Sequence, residues 1–393
     1  MPLDRREFLA LAALLGVGGA ATACGLVGGE DAPEGRLGPD ATVLIIGAGA
    51  AGMAAGHLLA QRGVAFTLLE AAPTYGGRIK HTRDFVDFPI PLGGEWLHVA
   101  EDTLATIVND ESVAVTTRLQ GYDPTHLGDW VTGGSRVRGP IGDETDLKFV
   151  GSSWLDFFET FVLPSVADHI TYDAPVVQVD HDADGVRATD TSGTVHVADA
   201  AIVTVPMKIL QDGDIGFDPP LPDSHQDALD RANIWTGMKV FVEFTEAFYG
   251  TYLAFEDDDG FDGQRLYYDA AYGQDSDANV LGLFTVGVLA EPYQALDPGD
   301  ELRDHVLAEL DALYDGAATR TYVQHTSQNW ADEPYIRAAY LADEAPSSIS
   351  RTLAEPIGPR VHLAGCSYTR FDDWSSVHTA ARSARDTVDR LLG

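Results

Sequence analysis

The stretch Ala41 to Glu70, ATVLIIGAGAAGMAAGHLLAQRGVAFTLLE, confines this chain more than any other. Thr42 to Ile46 is a continuous apolar run, the kind a parallel strand buried on both faces requires. Gly47, Gly49 and Gly52 follow it. The first makes a tight turn, the second lets a pyrophosphate approach the backbone, and the third lets the next helix pack on the strand. That helix runs from Ala50 to about Gln61, so the amides of Ala50 and Ala51 lie at its positive end. A second strand, Val64 to Leu69, ends at Glu70, where a carboxylate can accept from ribose hydroxyls. A bare glycine triplet occurs by chance. Here strand, turn, helix, strand and acid fall in order, which predicts an α/β, Rossmann-like dinucleotide-binding domain.

The chain has 393 residues, enough for two domains, and 45% of them are hydrophobic, enough for an ample core. Acidic residues number 61 against 25 basic ones, a formal charge of -36. That balance excludes a nucleic-acid partner, which needs basic surface. It reads as a solvated acidic coat, with a field that draws cationic substrates as the second reading. Runs such as Asp257-Asp258-Asp259 sit in loop-like sequence. The twelve histidines and two cysteines form no His-x-x-x-His or Cys-x-x-Cys spacing, so no metal site is expected.

Residues 1–40 read as an address and a linker. Arg5-Arg6-Glu7-Phe8-Leu9 resembles a twin-arginine export signal, and the apolar run Leu9 to Ala23 is too short and too rich in Gly and Ala to span a membrane. Ala21-Thr22-Ala23-Cys24 resembles a lipoprotein cleavage box with Cys24 as the lipidated residue. Gly25 to Asp40 is then a flexible tether. The expectation is an exported protein held on the outer side of a membrane by a lipid at Cys24. Cys366 then has no partner for a disulfide.

Just beyond Glu70, AAPTYGGRIKH places Gly76-Gly77-Arg78, backbone amides and a guanidinium suited to a pyrophosphate. Together the two glycine turns resemble the two-dinucleotide-binding-motif flavoproteins, and specifically the flavin-containing amine oxidase family, whose cofactor is FAD. PLGGEWLH, Pro91 to His98, is similar to that family's Leu-Gly-Ala-x-Trp-Ile-His segment beside the flavin ring. The resemblance implies Gly94, Glu95 and Trp96 at the cofactor and His98 facing the substrate cavity. APVVQVDHDADGVRATDTSGTVHVADAAIVTVP reads as four short strands, and the family's chain returns there to the FAD domain. Val176 or Val177 would then touch adenine through its backbone. RVHLAGCSYT and a final helix, Ser376 to Leu392, complete the return, with Gly365 at the cofactor. The helix start near Val377 would face the flavin's pyrimidine edge. The implied FAD-binding domain is residues 41–100, 172–215 and 355–393, and a discontinuous α+β substrate domain takes 101–171 and 216–354.

The remaining motifs carry the chemistry. GMKVFVEF, Gly237 to Phe244, interrupts an apolar strand with Lys239, in a chain holding only four lysines. It resembles the family's strand whose single lysine holds a water against the flavin; a strand-edge lysine reaching solvent is the plain alternative. NWADEPYIRAAY, Asn329 to Tyr340, matches the family's Trp-x-x-x-x-Tyr segment. The resemblance puts Trp330 near the flavin and Tyr340 as one wall of an aromatic cage for the amine nitrogen. Ala339 stands where monoamine oxidases carry the cysteine bonded to FAD, so the cofactor is expected to be noncovalent. Ala364-Gly365-Cys366-Ser367 departs from the family's Ala-Gly-Glu, and Thr379 and Ala384 replace two glycines. The second cage wall falls near Ser376, which is not aromatic.

The implied function is FAD-dependent oxidation of a small amine by hydride transfer, with oxygen as acceptor and peroxide as product. The alternatives are oxidation of amino acids or non-amines, and a flavin-binding surface protein without turnover. An amino-acid oxidase needs an arginine for the carboxylate, and Arg337 is the candidate.

Overall fold

The computed structural model describes residues 37–38, 40–258, 262–342, 348–371 and 375–393. The export motif, Cys24 and most of the linker lie outside them, as does Asp259.

Thr42–Ile46 is the central strand of a five-stranded parallel sheet. The order is Val361–Leu363, Ala200–Val203, Thr42–Ile46, Ala65–Leu69 and Ile170–Thr171. Val43 and Ile45 point into a core shared with the helices Ala50–Gln61 and Val377–Leu392. Leu44 and Ile46 point the other way, into a core with Val179, Ala188 and Leu229. Two buried faces leave no place for a polar residue, which is why the run is uninterrupted. The second face is covered by a sheet in the order Val195–Ala198, Val186–Asp190, Val176–His181 and Gly216–Asp218. The helix Trp154–Phe161 gives way to 3-10 turns at Leu163–Ser165 and Ala167–His169. Pro164 has no amide to donate and crowds the preceding turn.

The rest of the chain builds a seven-stranded sheet. Its order is Tyr322–Asn329, Gly237–Phe244, Asn279–Gly287, Gly263–Asp269, Tyr252–Phe255, Leu127–Thr132 and Ser135–Pro140. One face packs Val240, Val242 and Leu283 against Leu302, Val306 and Leu310 of the helix Asp300–Leu313. The opposite face sets Phe241 and Tyr268 against Phe88, Ile90 and Leu92, ahead of the segment that carries Glu95. The period-2 alternation along Gly237–Phe244 therefore sorts Lys239 onto the face nearest the nucleotide end. That strand is paired on both sides, and Lys239 is 4% exposed. The edge-lysine reading fails on both counts.

Candidate active site

One cavity of about 1020 Å³ runs from the glycine turns to the seven-stranded sheet. At its nucleotide end Gly47 has φ +106°, a conformation that disfavours any side chain. A Cβ on Gly52 would lie 1.8 Å from the Gly47 carbonyl oxygen, so the third glycine serves helix packing and does not line the cavity. A Cβ on Gly49, by contrast, would meet nothing within 4 Å. Gly76 donates to the Ala48 carbonyl at 2.8 Å, which holds the two glycine turns side by side. Open space over paired turns at a helix N-terminus is what a diphosphate needs.

Glu70 is buried at the end of its strand and accepts from the amides of Ala48 at 2.6 Å and Ala72 at 2.9 Å. Burial pushes its carboxyl up, and those amides offset part of the rise. Arg78 donates to the Ala339 carbonyl and meets Cys366 Sγ at 3.3 Å. Among the described residues no carboxylate neutralises it. A cation spared neutralisation in so acidic a chain, beside open glycine turns, fits a diphosphate-bearing cofactor. A Cβ on Gly93 would strike the Arg78 carbonyl oxygen at 1.9 Å and the Trp330 ring at 2.8 Å. Glycine there lets the segment Gly93-Gly94-Glu95-Trp96 pass between them. Trp330 is 4% exposed and donates to the Leu92 carbonyl at 3.1 Å. Ala50, Ala51, Gly77, Gly94, Val177, Gly365 and Val377 also line the cavity. The helix starting at Val377 is capped by Ser376, whose hydroxyl accepts from the Thr379 amide.

At the far end Lys239 Nζ donates to Glu95 Oε2 at 2.8 Å and to the Pro91 carbonyl at 3.3 Å. Glu95 is 5% exposed, and its other oxygen lies 3.3 Å from Lys148 Nζ. Tyr268 donates its hydroxyl to Oε2 as well. Lys148 is 2% exposed and donates to the carbonyls of Ala270 at 2.9 Å and Asp269 at 3.1 Å. Burial raises the Glu95 carboxyl, but the charges of Lys239 and Lys148 more than reverse this and leave it lowered. Burial pulls the Lys239 ammonium down; Glu95 opposes that, and Lys148 adds to it. Lys239 Nζ also lies 5.1 Å from the Trp96 ring.

Tyr340 is paired across two short strands with Trp235, ring centroids 6.0 Å apart, and both line the cavity. Burial raises the Tyr340 hydroxyl, so it stays protonated. Trp235 donates to Asp262 Oδ1 at 2.5 Å. His98 lines the cavity with Nδ1 held by Asp146 Oδ2 at 2.9 Å. Glu144 and Asp146 line the cavity beside it, and burial raises the Glu144 carboxyl, helped by the Asp146 charge. Arg337 is not part of the lining; Asp212 holds it at 3.0 Å and Asp214 binds it too.

Sequence reasoning thus named the residues at both ends of the cavity but missed Trp235, Lys148, Glu144 and Asp146. Scarcity, the signal that singled out Lys239, applies equally to Lys148. Trp235 announces itself only through its pairing with Tyr340.

The family model described as flavin containing amine oxidoreductase matches residues 164–392, and an NAD(P)-binding Rossmann-like domain matches residues 45–110. Lysine-specific histone demethylase 2 of Homo sapiens is 23% identical over 82% of this chain and 50% of its own length. Lysine-specific histone demethylase 1B of Mus musculus is 28% identical over 42% of this chain and 21% of its own. The chain spans half or less of the length of these curated relatives. A solved structure of putrescine oxidase bound to putrescine matches with a TM-score of 0.72 at 16% identity, covering 90% of this chain and 99% of that one. Cyclohexylamine oxidase from Brevibacterium oxydans matches with a TM-score of 0.70 at 16% identity, over 90% and 100%. These structural matches establish a shared fold.

Proposed function

The chain belongs to the flavin containing amine oxidoreductase family, and from that premise we propose that it oxidises a small amine at the carbon next to nitrogen. One observation carries the reading: a single cavity joins the glycine turns to Lys239 and the Trp235–Tyr340 pair. Gly47, Gly49, Ala50, Ala51, Gly77 and Arg78 would hold the cofactor's diphosphate, Glu70 a ribose, and Val177 the adenine. Gly94, Glu95, Trp96, Trp330, Gly365 and Val377 would surround the ring. When bound, FAD supplies the hydride acceptor, and oxygen returns it to the oxidised form with hydrogen peroxide as product.

The chain's own groups do the placing. Trp235 and Tyr340 offer electron-rich faces that steer the nitrogen and exclude water. Glu144 and Asp146 draw a cationic amine inward. Lys239 lines the cavity with its Nζ 5.1 Å from the Trp96 ring. Amino acids fit less well. Among the described residues the arginines lining the cavity are Arg78 and Arg265, and Arg265 is held by Asp258 and Glu309 at 2.8 and 2.7 Å.

The test is direct. Purified protein should show flavin absorbance and form peroxide with members of a panel of monoamines, diamines and polyamines. Flavin binding without turnover of any amine would overturn the reading in favour of a flavin-binding surface protein. Export through the twin-arginine route and a lipid at Cys24 are proposed with it, on Arg5, Arg6 and Cys24.

A further inference from the structure

We infer that Lys148 is a positioning residue for the reaction: by sharing Glu95 with Lys239, it keeps Lys239 ready to take a proton from the incoming amine. This rests on the proposed function in one respect, that the amine meets Lys239 in the cavity.

The four lysines of this chain divide into two kinds. Lys80 and Lys208 make pairs with Glu333 and Asp212 at least a third exposed on the lysine side. Lys148 and Lys239 are buried, one on each oxygen of the single carboxylate of Glu95. Two cations on one anion leave a surplus positive charge in a place of low dielectric. One ammonium must then be easy to deprotonate, and the surroundings decide which. Lys148 has two backbone carbonyls besides Glu95, at 2.9 and 3.1 Å, and lies outside the cavity lining. Lys239 has one carbonyl, at 3.3 Å, and lines the cavity. Lys239, on the cavity wall and with fewer acceptors, is the member that sheds its proton.

The charged and titratable groups facing Lys239 are few. They are Glu95 from the Gly93–Trp96 segment, Lys148 from the strand Leu147–Phe149, and Tyr268 from Gly263–Asp269, with Asp269 behind Lys148. Its cross-strand neighbours Phe284 and Gln328 carry no charge. His98, Glu144 and Asp146 line the same cavity.

The step this prepares is a proton transfer alone. The substrate ammonium gives one proton to the neutral Nζ of Lys239, no bond to carbon changes, and the amine gains the lone pair that hydride loss from its carbon requires.

With only four lysines, isotope-labelled lysine gives an NMR spectrum simple enough to titrate each one in the flavin-loaded chain. The Lys239 signal should titrate below the ordinary lysine range. Lys148→Met removes a like charge and leaves Glu95 to Lys239 alone, so the Lys239 titration should rise by about one unit or more. Lys148→Arg should keep it near the wild-type position. Glu95→Gln should move it the opposite way, downward, which decides the matter if Lys148→Met fails to fold. The rising limb of the kcat/KM profile should shift with Lys239. A Lys239 titration unmoved in folded Lys148→Met, or unmoved in Glu95→Gln, overturns the inference. Absence of amine turnover alone would leave these titrations intact and overturn only the proposed function.

Discussion

Lys239 Nζ lies 2.8 Å from Glu95 Oε2, and neither side chain reaches bulk water. A lysine isolated in an apolar cavity would relax if replaced by methionine. This one would not, because its removal takes a charge-assisted bond from a buried carboxylate. Glu95 keeps Lys148 and Tyr268, so the loss is partial. Lys239→Met is expected to cost about 1–3 kcal/mol of stability in thermal or urea unfolding. It should also slow turnover by about a hundredfold, or ~2.7 kcal/mol of barrier. Stopped-flow traces of reduction by amine and of reoxidation by oxygen separate the two half-reactions. Wild-type rates in both would remove Lys239 from the reacting centre.

Trp235 and Tyr340 are partners across one ladder, their ring centroids 6.0 Å apart, and both line the cavity. Either Trp235→Ala or Tyr340→Ala should lower kcat/KM about tenfold, on the scale of a desolvated cation–π contact. Rings that share one guest would make the double variant lose less than the sum. Strictly additive losses would show that the two rings act separately and are no cage.

The nucleotide end was legible because its signal is local: strand, glycines, helix and acid all lie within Thr42 to Glu70. Lys239 was legible by contrast with its strand. The partners were not, since nothing near Glu95 in sequence points to Lys148 on Leu147–Phe149 or to Tyr268 on Gly263–Asp269. Resemblance puts the second cage wall near Ser376, which is not aromatic. Trp235 stands beside Tyr340 through a strand pairing that no local pattern encodes. The same holds for Arg337, which reads as a free guanidinium until Asp212 and Asp214 appear beside it.

Glu144 gives a pH prediction. Burial raises its carboxyl in the folded chain, so folding favours the protonated form. Its contribution is therefore favourable on the acid side of the ordinary glutamate range and is lost as pH rises through its folded value. Glu144→Gln should raise the melting temperature at neutral pH, and the gain should vanish in acid. The same change should raise KM for a cationic amine about tenfold, the worth of one lost charged contact. A KM unchanged at neutral pH would take Glu144 out of the substrate path.

Export rests on residues outside the described structure. Arg5→Lys with Arg6→Lys should leave the protein in the cytoplasm, because the twin-arginine signal reads both guanidiniums. Cys24→Ser should release it from the membrane fraction. Among the described residues no helix is long and apolar enough to cross a membrane. Membrane attachment that survives Cys24→Ser would sink the lipid anchor.

The bond to the cofactor can be tested without turnover. Ala339 offers no atom for a covalent link, and its carbonyl is engaged by Arg78. The flavin should therefore come free when the protein is precipitated with acid, leaving a colourless pellet. Among the described residues Cys366 is the one cysteine in the lining, 8% exposed, with its Sγ 3.3 Å from an Arg78 nitrogen. If colour stays with the pellet, Cys366→Ser should set it free, and the attachment would then lie on this thiol. Release in the wild type, with the Cys366→Ser variant binding flavin as tightly, would show that the thiol merely fills the space beside Arg78.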